Sequence, residues 1–148
     1  MPEREEPTWL RPLEALLGSG TGRSNDLLMF GAQVSAVERG RAAVRLQVTP
    51  ETAGGAKGGV HGGVVATLVD MALVTATVTM MRQGEEMRGT AELNVSFLRP
   101  AVGEELIASC EILKKGRSLA VGDVEVRNEH DVLVAKGRGT YSVGPASG

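Results

Sequence analysis

Hydrophobic and polar positions alternate through most of the second half of this chain, and one long segment breaks the alternation. Residues 90–98 (TAELNVSFL), 104–113 (EELIASCEIL), 118–127 (SLAVGDVEVR) and 131–143 (closing in VLVAKGRGTYSV) change side at each step, the mark of half-buried strands. Between them lie Pro100-Ala101-Val102-Gly103, Lys114-Lys115-Gly116-Arg117 and Asn128-Glu129-His130-Asp131, each with turn chemistry. This pattern predicts a four-strand meander. Upstream, an apolar start at residues 27–30 leads into Val34 and Ala36, a turn at Glu38-Arg39-Gly40-Arg41, and a second alternating run through Ala42, Val44, Leu46 and Val48, which predicts a hairpin. The exception is GVHGGVVATLVDMALVTATVTMM, residues 59–81, whose one permanent charge is Asp70. It follows the Gly-rich loop TPETAGGAKGG, is too long for a strand, and predicts a helix apolar nearly all round that stops near Gln83-Gly84. Residues 8–17 suit a short amphipathic helix closed by Gly18, and residues 19–26 read as a polar connector outside the core.

Two early strands, one long helix and a meander make an α+β domain over residues 27–144, an antiparallel sheet wrapped around one helix, with residues 1–26 as an N-terminal helix and connector. A helix apolar on all sides needs cover on the sides the sheet leaves open, which points to self-association. A membrane span is the competing reading of residues 64–81. An aspartate near its middle costs about 2.5–3.5 kcal/mol on insertion, and Thr67, Thr75, Thr77 and Thr79 dilute the apolar signal, so the buried helix of a soluble domain fits better.

Composition narrows the partners. At 148 residues, 42% hydrophobic and 23% charged, the chain suits one globular domain. A net charge of −2 gives no general attraction to nucleic acid or to an anionic membrane, so an anionic ligand needs a local basic patch. The single Cys110 cannot staple its own chain, and the start MPEREEPTWLRP lacks the basic-then-apolar order of a signal peptide; the expected location is cytoplasmic.

The candidate chemistry gathers at the long helix. The first amides of a helix lack internal partners and sit at the positive end of its dipole, so the start at His61-Gly62-Gly63 can hold an oxyanion. Asp70 follows His61 by nine residues, about two and a half turns or roughly 13 Å along the axis. One helix cannot bring both to the same reacting atom, but two antiparallel copies can. An apolar surround disfavours the charged carboxylate and raises its basicity toward that of a useful general base. The plainer alternatives for Asp70 are a pair with a buried Arg or capping by nearby Thr hydroxyls. His61 can act as a base, or bond backbone and position the loop. Lys57 among its glycines does not make a phosphate loop, because G-K is not followed by Ser or Thr. His130 reads as a solvated turn residue and Cys110 as a core side chain, and no metal-ligand spacing is present.

In order along the chain, GGVHGGVVATLVDMA, GTAELNVSFLRPA and ILKKGRSLAVGDVEVRNEHDVLVAKGRGTYSV resemble the hotdog-fold acyl-CoA thioesterases, in particular the phenylacetate-degradation and 4-hydroxybenzoyl-CoA thioesterase branch. The resemblance covers about residues 27–143. Its specificity lies in the ordered combination of H-G-G, an acid nine residues on, and N-x-x-F-L-R-P-A. It implies a hotdog fold and a homodimer, commonly paired again into a tetramer, with active sites across the subunit boundary. It also implies that the amide of Gly62 or Gly63 polarises the thioester carbonyl, that Asp70 of the facing subunit acts as general base or nucleophile, and that Thr90 helps place the water. By the same resemblance Lys114, Lys115, Gly116, Arg117 and Ser118 contact the nucleotide and phosphates of coenzyme A, with Arg99 as a further contributor. Coenzyme A is then part of the substrate, and no separate cofactor or metal is implied.

One position departs from the family pattern. Six residues before the His, relatives often carry Asn or Gln, and here stands Gly55. Losing one such donor costs about 10²–10³ in rate unless Thr90, Lys57 or a water replaces it. The expected activity is hydrolysis of an acyl-CoA to free acid and coenzyme A. The alternatives are a non-catalytic acyl-CoA-binding module, which Gly55 makes credible, and a hydroxyacyl-thioester dehydratase with His61 and Asp70 as acid and base, which lacks the usual Pro-rich His loop. Trp9, Phe30, Phe97 and Tyr141 are the only aromatics, too few to define an acyl pocket.

Overall fold

Strands β1 (Gln33–Glu38) and β2 (Arg41–Gln47) form the expected hairpin, closed by Arg39 and Gly40. Gly40, at φ +79, takes the left-handed backbone that so tight a turn requires. The computed structural model describes Trp9 and residues 29–147. The helix expected over residues 8–17 and the connector after it lie, Trp9 apart, outside the described residues. The apolar start expected to open β1 is not a strand where it is described: Met29–Gly31 is a 3-10 turn with Phe30 at φ 60.

Helix α1 (Gly62–Val78) is the long apolar segment, but it stops several residues short of Gln83-Gly84. A tertiary tie sets its end. The Thr79 hydroxyl donates to the Ala76 carbonyl at 2.7 Å and accepts the Gly40 amide, also at 2.7 Å, fastening the helix to the β1/β2 turn. Thr75 and Thr77 donate to the carbonyls of Met71 and Leu73 at 2.8 Å, which satisfies their buried hydroxyls inside the helix.

Strands β3 (Glu85–Phe97), β4 (Glu105–Lys115), β5 (Leu119–Asn128) and β6 (Leu133–Pro145) complete a six-stranded antiparallel sheet in the order β1-β2-β4-β5-β6-β3. The four-strand meander is therefore corrected: β4, β5 and β6 meander, while β4 pairs β2 and β3 pairs β6 at the far edge. Alternation marks a strand but not its neighbour; the crossing of α1 carries the chain past the middle of the sheet, so β3 lands at the opposite edge.

The sheet curls around α1 and buries Val44, Leu46, Leu106, Ala108, Val124 and Val126 against Leu68, Val69 and Leu73. Close approach depends on two glycines of β6. A Cβ on Gly137 would strike Val69 at 2.8 Å, and one on Gly139 would strike Leu73. Twelve of the seventeen helix residues are buried within this single chain. What stays open, besides Gly62 at the start, is a stripe at Gly63, Ala66, Thr67 and Asp70 on one face. The expectation that an all-apolar helix leaves bare apolar faces is thus revised: the uncovered stripe is built of small residues and ends at the carboxylate.

Candidate active site

The loop before α1 is held in place by backbone bonds: Val60 N–H donates to the Ala101 carbonyl and His61 N–H to the Thr52 carbonyl, both at 2.9 Å. His61 is the helix cap. Its Nδ1 accepts the Gly63 N–H at 2.9 Å, which places the ring proton on Nε2 and gives His61 a positioning task. Val64 and Val65 donate to the His61 carbonyl. Of the two amides considered as oxyanion donors, Gly63 is therefore engaged, and among the described residues Gly62 N–H has no acceptor. Gly62 borders a cleft of about 340 Å³ that it shares with Gly55, Val65, Phe97, Leu98 and Arg99. The Phe97 ring lies 3.5 Å from where a Gly62 Cβ would stand, so the bare backbone leaves room for a ligand atom beside the ring.

Gly55 is more than a missing carboxamide. Its N–H donates to the Gly59 carbonyl at 2.9 Å, and a Cβ there would run into the Val60 carbonyl oxygen. Its backbone is extended, so the exclusion is steric. The fold of this loop has no space for Asn or Gln.

Asp70 is half-buried on the open stripe, and its Oδ1 accepts the Thr90 hydroxyl of β3 at 2.6 Å. Of the plainer alternatives, no Arg pairs with Asp70 among the described residues, and the hydroxyl that meets it comes from a different element. Across β3 and β6, Thr90 faces Tyr141, whose side chain is buried. Burial, and then the negative charge of Asp70, push the Tyr141 phenol above its ordinary pKa. Eight residues separate Gly62 from Asp70, about 12 Å along the axis, so one chain keeps its open amide and its carboxylate apart.

The basic residues fall into two places. Arg99 lines the Gly62 cleft and donates to the Leu133 carbonyl at 2.9 Å. Lys114, Arg117 and Ser118 are exposed on the turn between β4 and β5, at the Glu85 end of β3. Lys115 does not join them outward. Its side chain is 2% exposed, and the ammonium donates to both Glu85 oxygens, at 2.9 and 2.8 Å, and to the Gly116 carbonyl at 3.0 Å. Burial pulls the Glu85 pKa upward, but the Lys115 bond, the Arg82 N–H and the charges of Lys115 and Arg82 outweigh it and hold the carboxyl below its ordinary value. Alternation alone could not reveal this pair, whose members are thirty residues apart.

Cys110 is buried, and burial together with the Asp123 and Glu111 charges raises its thiol to about 12, so it stays protonated and is no nucleophile. His130 is exposed in its turn. Among the described residues no three His, Cys, Asp or Glu side chains are grouped to hold a metal, and no helix is long and apolar enough to cross a membrane.

Residues 57–135 match the model of the Thioesterase superfamily. The medium/long-chain acyl-CoA thioesterase YigI of Escherichia coli is 36% identical over 96 residues, covering 57% of this chain and 62% of that protein, so the chain spans under two thirds of this curated relative. The crystal structure of a thioesterase family protein from Silicibacter pomeroyi superposes with a TM-score of 0.81 at 22% identity over 93% of this chain and 99% of that one, a likeness of fold. A Bacillus halodurans protein solved with CoA is 31% identical, with a TM-score of 0.64, over 68% of this chain and 66% of that chain.

Proposed function

Because this chain belongs to the thioesterase superfamily, we propose that it hydrolyses an acyl-CoA thioester to the free acid and coenzyme A, as a dimer whose two sites lie across the subunit boundary. The observation that carries the reading is the unengaged Gly62 amide at the start of a helix, opening on a mostly apolar cleft. A thioester carbonyl oxygen placed there gains a donor and the positive end of the helix dipole as charge develops on it. The base comes from Asp70 of the partner subunit, since the chain's own Asp70 is about 12 Å away. Water attacks the carbonyl carbon, Asp70 takes its proton, Gly62 N–H bonds the oxyanion, and collapse of the intermediate expels the coenzyme A thiolate, which takes up a proton as Asp70 returns its own by way of solvent. The Thr90 hydroxyl fixes one carboxylate oxygen, and a lone pair of the other takes the proton of the water.

The same symmetry gathers the basic groups. Within one chain, Arg99 and the Lys114/Arg117 turn stand toward opposite ends of β3, a strand about 40 Å long. An antiparallel pairing of two β3 edges sets Arg99 of one copy near the Lys114, Arg117 and Ser118 turn of the other, a frame for the phosphates and nucleotide of coenzyme A. Lys115 and Gly116 shape that turn from within. On the ordered motifs of the chain we place it in the phenylacetate-degradation and 4-hydroxybenzoyl-CoA branch, with one catalytic domain over residues 27–144 and dimers paired into a tetramer.

The test is thiol release from a panel of aryl and fatty acyl-CoAs. Wild type is expected to turn over at least one member, and Asp70→Asn to lose that turnover while still binding coenzyme A. Full activity in Asp70→Asn would end the assignment. Saturable binding without turnover on any member would favour the acyl-CoA-binding module that Gly55, with no room for a carboxamide, recommends as the second reading.

A further inference from the structure

Tyr141 is the one tyrosine of the chain, and nothing in the hydrolysis outlined above uses it. It lies on β6 directly opposite Thr90 of β3, so the two side chains share the sheet face that meets α1. Thr90 in turn holds Asp70 Oδ1 at 2.6 Å. Tyr141 is 9% exposed, and among the described residues its hydroxyl has no hydrogen-bond partner. A buried hydroxyl is rarely left unsatisfied. Asp70 Oδ2 is also without a donor among the described residues. Burial and, after it, the negative charge of Asp70 raise the phenol pKa, in keeping with the sheet face on which both groups meet Thr90.

We infer that Tyr141 is a positioning residue for Asp70: set opposite Thr90 across the β3/β6 ladder, its hydroxyl engages Asp70 Oδ2 through one bridging water. The carboxylate is then held at both oxygens, by a threonine on one strand and by a tyrosine on the next, and its plane is fixed relative to the partner's Gly62. Water bridges of this kind are nearly as favourable in enthalpy as direct bonds. A carboxylate fixed at one oxygen only can swing about its last torsion, and small errors in the geometry of a base are expensive in rate. The inference rests on the thioesterase reading for its kinetic part and is independent of it for its structural part.

Tyr141→Phe removes one oxygen and keeps the ring. It is expected to lower kcat by about tenfold while KM stays within about twofold, because an oriented base matters only as the proton moves. Placed on Asp70→Asn, it is expected to cause no further loss in the residual rate, since its effect passes through the carboxylate. Wild-type kcat in Tyr141→Phe, or an equal fractional loss in the Asp70→Asn background, would overturn the inference. A second measurement needs no turnover. With a single tyrosine, tyrosinate absorbance near 295 nm follows Tyr141 alone, and Asp70→Asn is expected to move its titration to lower pH. An unmoved titration would overturn the inference even if the thioesterase reading stands, whereas a moved titration with no thiol release from any acyl-CoA would sink that reading and leave the contact in place.

Discussion

At Gly62 a single backbone N–H carries the proposed oxyanion role, and that atom can be removed with little change to the helix start. Proline is favoured in the first turn of a helix, where it lacks only an amide that no carbonyl needs. His61, at φ −57 and ψ 136, already has the backbone that the residue before proline prefers, and an added side chain at 62 meets Phe97 at ordinary contact distance. Gly62→Pro is therefore expected to keep thermal stability near wild type and to reduce thiol release by about 10²–10³, as read in parallel melts and assays. Gly55 gives the opposite expectation. Gly55→Asn brings in the residue common among relatives, yet its Cβ must displace the Val60 carbonyl, so the variant should melt lower than wild type and gain no rate. The helix start at His61-Gly62-Gly63 was legible in the sequence because helix-start chemistry is local, and Asp70 drew notice as the lone charge of an apolar run. The engagement of Gly63 by the His61 ring, and the hold of Thr90 on Asp70 from twenty residues away, depend on rotamer and register, which no pattern of residue types records.

Among the elements, β3 is the one the alternation misplaced, and its position explains the rest. At the sheet edge it offers Thr90 to α1 at its middle, Phe97 to Gly62 at one end, and Glu85 to Lys115 of β4 at the other. Period-2 patterning identified β4, β5 and β6 and their turns, since each strand has one buried face; it was silent on strand order, which α1 decides by crossing. Nor did it show why Gly137 and Gly139 recur two apart, namely to let α1 press against β6. The Lys115 and Glu85 contact fastens the β4/β5 turn to the start of β3, and Lys115→Met leaves the carboxylate with the Arg82 N–H as its remaining partner. A loss of about 1–2 kcal/mol in unfolding free energy is expected by denaturant titration at neutral pH. The pH dependence follows from the lowered Glu85 pKa. A carboxyl whose pKa falls on folding stabilises above its ordinary value, near 4.5, and that contribution disappears as pH drops through the folded value. Wild type should accordingly lose more stability than Lys115→Met as the solution is acidified below about pH 4.5.

For the whole molecule, the single chain is nearly self-sufficient in packing and incomplete in chemistry. Twelve helix residues are buried without a partner, so apolar surface on α1 is not the main reason for two copies to associate. The proposed dimer is argued instead from the open stripe from Gly63 to Asp70, the free edge of β3, and the roughly 12 Å along the axis between amide and carboxylate. Mixed dimers test that claim most directly. Asp70→Asn and Gly62→Pro, each inactive alone, are co-expressed with different tags, and the doubly tagged and mixed populations are assayed for thiol release. If each site joins Gly62 of one subunit to Asp70 of the other, a mixed dimer holds one site with both lesions and one with neither, and an equal mixture should recover about a quarter of wild-type turnover. A mixture no more active than its two parents would contradict the account.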